Sequence, residues 1–384
     1  MTRATQLAEA ARKYRGNHHW VPLVLKDGKN PGYAGWQKHK LEDAIPRFND
    51  DDNIGILLGK PSGDLVRLDP DFAAIPAVFN ILFPEPTLTF GRASSPQAGR
   101  LITCAVKSTN FKLPESTRDD PRLPLHDGDA SVMVFQILST GTQTLAPPSV
   151  HPDCKEALAW QSEAQPMVID APELLRRVGI EAFLMAVRQF WPARGTRNEA
   201  AMALARVLLE AMAAHHPDDA ERIAIVDNLV ESVAMAGGDG EESRGGKRRA
   251  EATLEKMRAG EYATGMPRLL ELLELPPNVA KPFRQWLGLS PGGVSLGVGQ
   301  ATFPHKAPYK AAQVFINQKY MPDGRRTLHR YRGTFWRWTG TSYQEQDERE
   351  VIRAGRTSFS TGLLPSTTRD SSSCSSRPSM MSIN

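Results

Sequence analysis

Cysteine is scarce in this sequence, and long apolar runs are missing. The 384 residues include three cysteines, Cys104, Cys154 and Cys374, whose wide spacing gives neither a disulfide framework nor a cluster of metal-binding thiolates. No run approaches the roughly 18 apolar residues that a membrane span requires. The N-terminus, MTRATQLAEAARKYRG, has an amphipathic helix pattern without a secretory apolar core. These absences predict a cytoplasmic protein with reduced thiols and no membrane partner.

A phosphate-binding loop and a strong net charge are also absent. No GxxxxGK[ST] motif occurs, so this sequence signature of nucleotide binding is missing. The 47 basic and 43 acidic side chains give a formal charge of +4, which permits binding to nucleic acid but does not by itself indicate it. A hydrophobic content of 40% is ordinary for a soluble protein, and the length suits two or three domains.

The most informative stretch is residues 53–72, NIGILLGKPSGDLVRLDPDF. Two short apolar runs flank the turn signal Lys-Pro-Ser-Gly, which predicts two strands, at 54–58 and 65–68. Successive side chains of a strand alternate between its faces, so we expect Asp69 and Asp71 to point the same way. Paired carboxylates suit Mg²⁺ or Mn²⁺ and an in-line phosphoryl displacement. An exposed Asp-Pro-Asp turn is the structural alternative.

Three other places carry side chains that suit phosphate. A polar turn between two strand-like runs holds Arg92, Ser94 and Arg100, and arginine and hydroxyl groups bind phosphate through charge-assisted hydrogen bonds. Lys29 lies in a turn beside a tryptophan, and His151 ends a proline-bounded loop. Each place has a structural alternative, because turn charges are commonly solvated and a loop histidine commonly serves as a hydrogen-bonding group.

Composition divides the chain into four parts. Residues 1–165 predict an α/β domain, within which the polar, proline-rich segment 107–129 predicts a long surface insertion. Residues 166–289 follow a helical period and predict an all-α domain. Residues 290–354 contain a glycine-rich linker and a β meander, whose interleaved arginines and aromatics suit either stacking on single-stranded bases or packing within the meander. The serine-rich tail at 355–384 predicts disorder.

Several ordered segments resemble the bifunctional primase-polymerase domain of phage and plasmid replication proteins, within the archaeo-eukaryotic primase superfamily. Within residues 15–165 these segments are KNPGYAGW, NIGILLGKPSGDLVRLDPD, FGRASSPQAGRL and FQILSTGTQTLAPPSVHP. The segment FWPARGTRNEAAMALARVLLEA resembles the helical region that follows such domains. The segment TLHRYRGTFWRWTGTSY resembles the connector that precedes a superfamily 3 helicase.

The resemblance implies an α/β fold with an RNA-recognition-like mixed sheet, whose paired acidic residues bind metal ions. Asp69 and Asp71 match that pair. The third acidic ligand of the family falls at Gln136, and its phosphate-contacting histidine falls at Gly99, beside Arg100. A neutral amide is a poorer metal ligand than a carboxylate, so these departures predict reduced turnover.

The reaction that the resemblance implies is metal-dependent transfer of a nucleotide to a primer 3′ hydroxyl on a single-stranded DNA template. Its substrates are nucleoside triphosphates, its cofactor is Mg²⁺ or Mn²⁺, and its expected partner is a replicative helicase. The lack of that helicase in the sequence, together with the serine-rich tail, predicts truncation or a change of frame.

Two alternatives to a primase-polymerase stay open. One is a nucleic-acid-binding replisome adaptor that keeps the fold without the chemistry, which Gln136 and Gly99 favour. The other is a nuclease that uses Asp69 and Asp71, although no E-x-K-like strand accompanies them.

Overall fold

The computed structural model describes residues 1–26, 28–124, 131–238, 249–259, 265–289, 328–331, 334–339 and 342–347. The described residues up to 289 belong to one compact unit, and those from 328 onward belong to another. None of the described helices is both long and apolar enough to cross a bilayer.

Short strands dominate the first part of the larger unit. In chain order its elements are α1 (Arg3–His18), β1 (Val21–Leu25), β2 (Asn53–Leu57), β3 (Leu65–Pro70), α2 (Pro76–Leu82), β4 (Leu88–Arg92), β5 (Ser95–Thr103), β6 (Thr109–Lys112), β7 (Met133–Leu138), β8 (Gln143–Leu145), β9 (Ala159–Trp160) and β10 (Met167–Val168).

The rest of the larger unit is helical, as its sequence period predicts. Its helices are α3 (Ala171–Gln189), α4 (Arg197–Met212), α5 (Asp219–Ala236), α6 (Arg249–Arg258), α7 (Met266–Leu272) and α8 (Ala280–Trp286). The described residues of the second unit form an antiparallel meander of β11 (Leu328–Tyr331), β12 (Thr334–Trp338) and β13 (Tyr343–Gln346), which confirms the β meander predicted there.

Two sheets form the α/β part of the larger unit. The small sheet has the strand order β1-β2-β8, and the large sheet has the order β6-β7-β3-β5-β4-β9. These neighbours are antiparallel, and β10 adds a short parallel pair with β5. The strands predicted at 54–58 and 65–68 are present as β2 and β3, but they belong to different sheets. The fold is therefore mixed α+β with antiparallel sheets.

The large sheet is covered on both faces, and the side chains of β3 alternate between two cores. Val66 and Leu68 join the helix-side core, a cluster that includes side chains of α2, α3 and α8. Leu65 joins the α1-side core, a cluster that includes Leu7 of α1 and the apolar residues of the small sheet. The larger unit is thus built in layers around the large sheet.

Helix α3 lies in the middle of the helix-side core. Asp170 caps its N-terminus by accepting a hydrogen bond from the backbone N–H of Glu173 at 2.8 Å. Every residue from Val178 to Val187 is buried, as expected for a helix that is surrounded by other elements. The helix-side core is continuous from β3 to α8, so the predicted boundary at residue 165 does not separate two cores.

Part of the predicted surface insertion at 107–129 is an edge strand of the large sheet. Strand β6 pairs with β7, and the register shifts once, between Phe111 and Lys112. Phe111 of β6 is buried, with its ring centroid 6.3 Å from that of Phe135 and 5.8 Å from that of Trp286. The polar composition of the segment concealed this single buried aromatic. The predicted tail at 355–384 and the glycine-rich linker near 290 lie outside the described residues.

Candidate active site

A cleft of about 590 Å³ opens on the α1-side face of the large sheet. The end of β3, the β4–β5 hairpin and the loops around residues 29 and 143–158 surround it. Five residues that the sequence singled out for phosphate or metal chemistry line this cleft; they are Lys29, Asp69, Asp71, Arg92 and His151.

Asp69 is held by a neighbour on its own strand. Its Oδ1 atom accepts a hydrogen bond from Nη2 of Arg67 at 2.6 Å, and the two side chains form a partly buried ion pair. Arg67 also donates to Oγ1 of Thr144 at 3.2 Å, and its guanidinium lies 5.6 Å from the ring centroid of Phe90. Arg67 was not among the residues that the sequence pattern indicated. Its two-residue spacing from Asp69 contained the signal, because residues i and i+2 of a strand share a face.

Asp71 is contacted by the side chain of Gln136 on β7. Its backbone N–H donates to the carbonyl of Val134 at 3.0 Å, which places it beside β7. Nε2 of Gln136 donates to the two carboxylate oxygens of Asp71 at 3.2 and 3.4 Å. Gln136 is also the cross-strand partner of Asp69. The amide thus acts as a neutral donor, because turning its oxygen toward the carboxylate would place two acceptors face to face.

Asp69 and Asp71 are the residues that would hold a divalent cation. Mg²⁺ is commonly bound through one or two carboxylates together with water and substrate phosphates, and this pair supplies such a donor set. Within the described residues, no three His, Cys, Asp or Glu side chains are grouped to hold a metal ion. A cation here would therefore depend on a ligand's phosphates and water for most of its coordination.

Three cations line the cleft together with the two carboxylates. Lys29 is exposed and pairs with Asp153 at 2.9 Å, and Nε of Arg92 donates to Oγ of Ser94 at 3.2 Å. With Arg67 these residues bring three positive charges against the two negative charges of Asp69 and Asp71, a formal balance of +1. A concave site of this kind attracts polyanions such as phosphates.

His151 presents an imidazole to the same cleft. Burial, reinforced by the charges of Lys29 and Arg92, lowers the pKa of His151 below its ordinary value. Its Nδ1 atom is buried, has no hydrogen-bond partner among the described residues, and lies 3.8 Å from a carboxylate oxygen of Asp153. A neutral imidazole whose Nδ1 atom has no hydrogen-bond partner is suited to forming a hydrogen bond with a ligand.

The structure does not bring Ser94 or Gly99 into the cleft lining. Ser94 is exposed at the β4–β5 turn, where its backbone N–H donates to Oε2 of Glu156 at 2.8 Å. Gly99 is buried beneath Phe90, and a Cβ atom at this position would lie 2.2 Å from the Phe90 ring. A histidine side chain at 99 would therefore collide with the ring in its present position.

Arg100 lies on the opposite face of the large sheet, which corrects the prediction that it contacts phosphate. Its cross-strand partner is Leu68, whose side chain faces the helix-side core. Only 1% of the Arg100 side chain is exposed. It pairs with the buried Glu181 of α3 at 2.6 Å and lies 3.6 Å from the ring centroid of Phe79. Burial raises the pKa of Glu181, while the charge of Arg100 opposes that rise. No pattern in the sequence pointed to Glu181 as a partner.

Comparisons with protein-family models, with curated proteins and with solved structures find no match to this chain.

Proposed function

We propose that this chain is a DNA primase-polymerase from a phage, prophage or plasmid replication protein. It transfers nucleotides from nucleoside triphosphates to a primer on a single-stranded DNA template. The observation that carries the proposal is the convergence of Asp69 and Asp71 with Lys29 and Arg92 in one cleft. Carboxylates that can hold a divalent cation and cations that can hold phosphate are the two requirements of metal-dependent nucleotidyl transfer.

Each cleft residue has a role in this proposal. Asp69 and Asp71 hold Mg²⁺ or Mn²⁺, which when bound would activate the primer hydroxyl and stabilise the leaving pyrophosphate. Lys29 binds the triphosphate as a point charge, and Arg92 binds it through the planar fork of its guanidinium. His151 donates or accepts a hydrogen bond at the rim according to its tautomer.

An apolar floor completes the cleft. Phe90, Leu145 and Leu158 line it beside the charged residues. These three side chains are each at most 8% exposed, so they form an apolar floor that keeps water from beneath the charged residues and strengthens their contacts.

The proposal extends to the fold and to the partners. The large sheet corresponds to the RNA-recognition-like sheet of the primase-polymerase family, and the helices from α3 onward correspond to the region that follows it. A replicative helicase is the proposed partner, and the cytoplasm is the proposed compartment.

A non-catalytic replisome adaptor is the second candidate, and two contacts favour it. Gln136 donates to Asp71, and Arg67 pairs with Asp69, so both carboxylates have protein partners without a metal. A cleft of this kind could bind the phosphates of nucleic acid while performing no chemistry.

Incorporation of labelled nucleotide on a primed single-stranded template, with Mn²⁺ or Mg²⁺, separates the two candidates. We expect extension by the natural chain and none by the double variant D69N/D71N, which keeps the side-chain shapes and removes both charges. The control D119N removes an exposed carboxylate outside the cleft lining and should extend normally. Template binding without extension by the natural chain would instead support the adaptor, and template degradation would support a nuclease.

A further inference from the structure

We propose that Arg67 is a phosphate-responsive latch on Asp69. The guanidinium stays paired with the Asp69 carboxylate until a bound triphosphate replaces that carboxylate as its partner. Nucleotide binding and divalent-cation binding therefore strengthen each other. This inference rests on the proposed metal and triphosphate site, and it adds to that site a residue that links its two ligands.

The first observation is the direct competition for Asp69. Nη2 of Arg67 lies 2.6 Å from Oδ1 of Asp69, and the side chains are only 18% and 27% exposed. An ion pair that is partly withdrawn from water is screened less than a surface pair. A divalent cation must therefore displace a fixed positive charge before it gains full use of this carboxylate.

The second observation is that Arg67 has other contacts besides Asp69, which it can keep if it releases the carboxylate. Its Nη1 donates to Thr144 at 3.2 Å, and its guanidinium lies 5.6 Å from the ring centroid of Phe90. These contacts hold the guanidinium in the cleft while one edge of it changes partner. The expected motion is thus a small shift of the guanidinium with no movement of β3.

The third observation is a donor of Arg67 that lacks an acceptor. Its Nε atom is buried and has no hydrogen-bond partner among the described residues. A buried donor without a partner is unfavourable, and a phosphate group offers several oxygens that match the fork of a guanidinium. If the guanidinium shifts away from Asp69 and turns Nε toward the cleft, a triphosphate there can accept from Nε and replace Asp69 as the anionic partner.

Charge makes the exchange cooperative. Arg67, Asp69 and Asp71 together carry a formal charge of −1, and the two carboxylates alone carry −2. When a triphosphate takes the guanidinium as its partner, the divalent cation meets two carboxylates without a competing cation between them. By linkage, a bound cation promotes triphosphate binding by the same factor.

Titration of the full-length chain with Mn²⁺ alone tests the latch, and calorimetry or paramagnetic resonance follows the binding. We expect R67Q to bind Mn²⁺ about tenfold more tightly than the natural chain, because the competing charge is gone. The matched control is R92Q, which removes an equal charge from the same cleft at a residue that makes no ion pair with Asp69, and it should change the affinity much less. Equal gains in both variants, or no gain in R67Q, would overturn the latch.

A second experiment needs no change at Arg67 and no metal. Binding of dATP in the presence of a chelator is compared between D69N and D71N, which remove the same charge from the cleft. The latch predicts that D69N binds dATP about tenfold more tightly than D71N does, because only D69N weakens the hold on the guanidinium. Equal affinities would contradict it. Melting curves of each variant without ligand show that the fold is intact.

The two proposals fail in different ways. Tighter Mn²⁺ binding by R67Q with no nucleotide incorporation in any chain would support the latch and contradict the proposed polymerase activity. Incorporation by the natural chain with unchanged Mn²⁺ affinity in R67Q would contradict the latch and support the proposed polymerase activity.

Discussion

The carboxylates of Asp69 and Asp71 have neighbours of different kinds. Asp69 accepts a hydrogen bond from the cationic Arg67 at 2.6 Å, whereas Asp71 accepts one from the neutral Gln136 at 3.2 Å. The contact with Arg67 neutralises the charge of Asp69, whereas the contact with Gln136 only orients the carboxylate of Asp71. The Arg67 contact therefore opposes cation binding at Asp69 more strongly than the Gln136 contact opposes it at Asp71.

An acid placed at position 136 should lower the stability of the chain and raise its affinity for a divalent cation. In Q136E the hydrogen bond to Asp71 is replaced by like-charge repulsion, which should lower the free energy of unfolding by about 1 kcal/mol without metal. A third carboxylate should tighten Mn²⁺ binding by about tenfold. Urea unfolding and Mn²⁺ titration measure the two effects.

The control for that variant is Q136M, which removes the amide without adding a charge. It should lose a similar amount of stability and gain no metal affinity. Mn²⁺ binding by Q136E that is no tighter than binding by Q136M would show that position 136 does not face the cation.

The pKa of His151 predicts a pH dependence of stability. Because burial lowers that pKa in the folded chain, the unfolded chain, with an ordinary value near 6.5, takes up the proton first as pH falls. The native state therefore loses stability as pH drops below about 6.5. His18 and His215 also have lowered pKa values, so they contribute a loss of the same sign.

Replacing His151 by glutamine should reduce this loss. The measurement is urea unfolding at pH values on either side of 6.5, with the natural chain and H151Q compared at each. A decline in stability that is the same for both chains would show that His151 does not titrate differently in the folded state.

At the residue scale, strand alternation predicted that Asp69 and Asp71 share a face, and both line the cleft. The same rule places Arg67 with them. It also separates Arg100 from Gly99, since adjacent residues of a strand face opposite sides. The sequence could not tell which side of β5 faces the cleft, because both faces of the large sheet are covered by apolar layers.

Among the elements, β5 and α3 are joined by the buried pair of Arg100 and Glu181. Removing one partner of such a pair leaves an uncompensated buried charge, so E181L should lower the free energy of unfolding by about 3–5 kcal/mol. The double variant R100M/E181L should lose much less, since it leaves no buried charge. Urea unfolding of the natural chain and the two variants gives both values.

The same double variant tests the corrected role of Arg100. If Arg100 is structural, R100M/E181L keeps the triphosphate affinity of the natural chain. A loss of dATP affinity in a folded double variant would show that Arg100 contributes to triphosphate binding.

Helices α3 and α8 approach closely at one glycine. A Cβ atom on Gly179 would lie 2.1 Å from the carbonyl oxygen of Trp286, so the side-chain methyl of G179A must push α8 away. We expect a loss of about 1–3 kcal/mol of unfolding free energy. The control G16A lies in α1, where nothing is within 4 Å of the added Cβ, and it should be neutral or stabilising. Thermal unfolding of both variants shows whether the loss in G179A comes from crowding against Trp286 or from the change of glycine to alanine in any helix.

Apolar runs and periodicity located β2, β3, the helical region from α3 onward and the β11–β13 meander. They did not locate β6, because its four residues are mostly polar and only Phe111 is buried. They also did not show that β2 and β3 belong to different sheets, since strand partners are chosen by tertiary packing.

In the larger unit as a whole, the large sheet has the helix-side core on one face, and α1, the small sheet and the cleft on the other. Val66 and Leu68 alternate with Arg67 and Asp69 along β3, so one strand both anchors the helix-side core and presents the candidate site. A rigid, doubly covered strand is a suitable support for charged groups that must keep their geometry. Sequence composition placed a domain boundary at residue 165, but the continuous core shows that the helical region supports the sheet that carries the cleft.

The most direct test of the cleft as a metal and triphosphate site is anomalous diffraction from crystals grown with Mn²⁺ and a non-hydrolysable deoxynucleoside triphosphate. The proposed function predicts a Mn²⁺ peak in contact with both Asp69 and Asp71, and a triphosphate in contact with Arg92 and Lys29. The latch further predicts that Arg67 contacts a phosphate in place of Asp69. A triphosphate bound elsewhere, or a cleft without Mn²⁺ in which Arg67 remains paired with Asp69, would contradict the account.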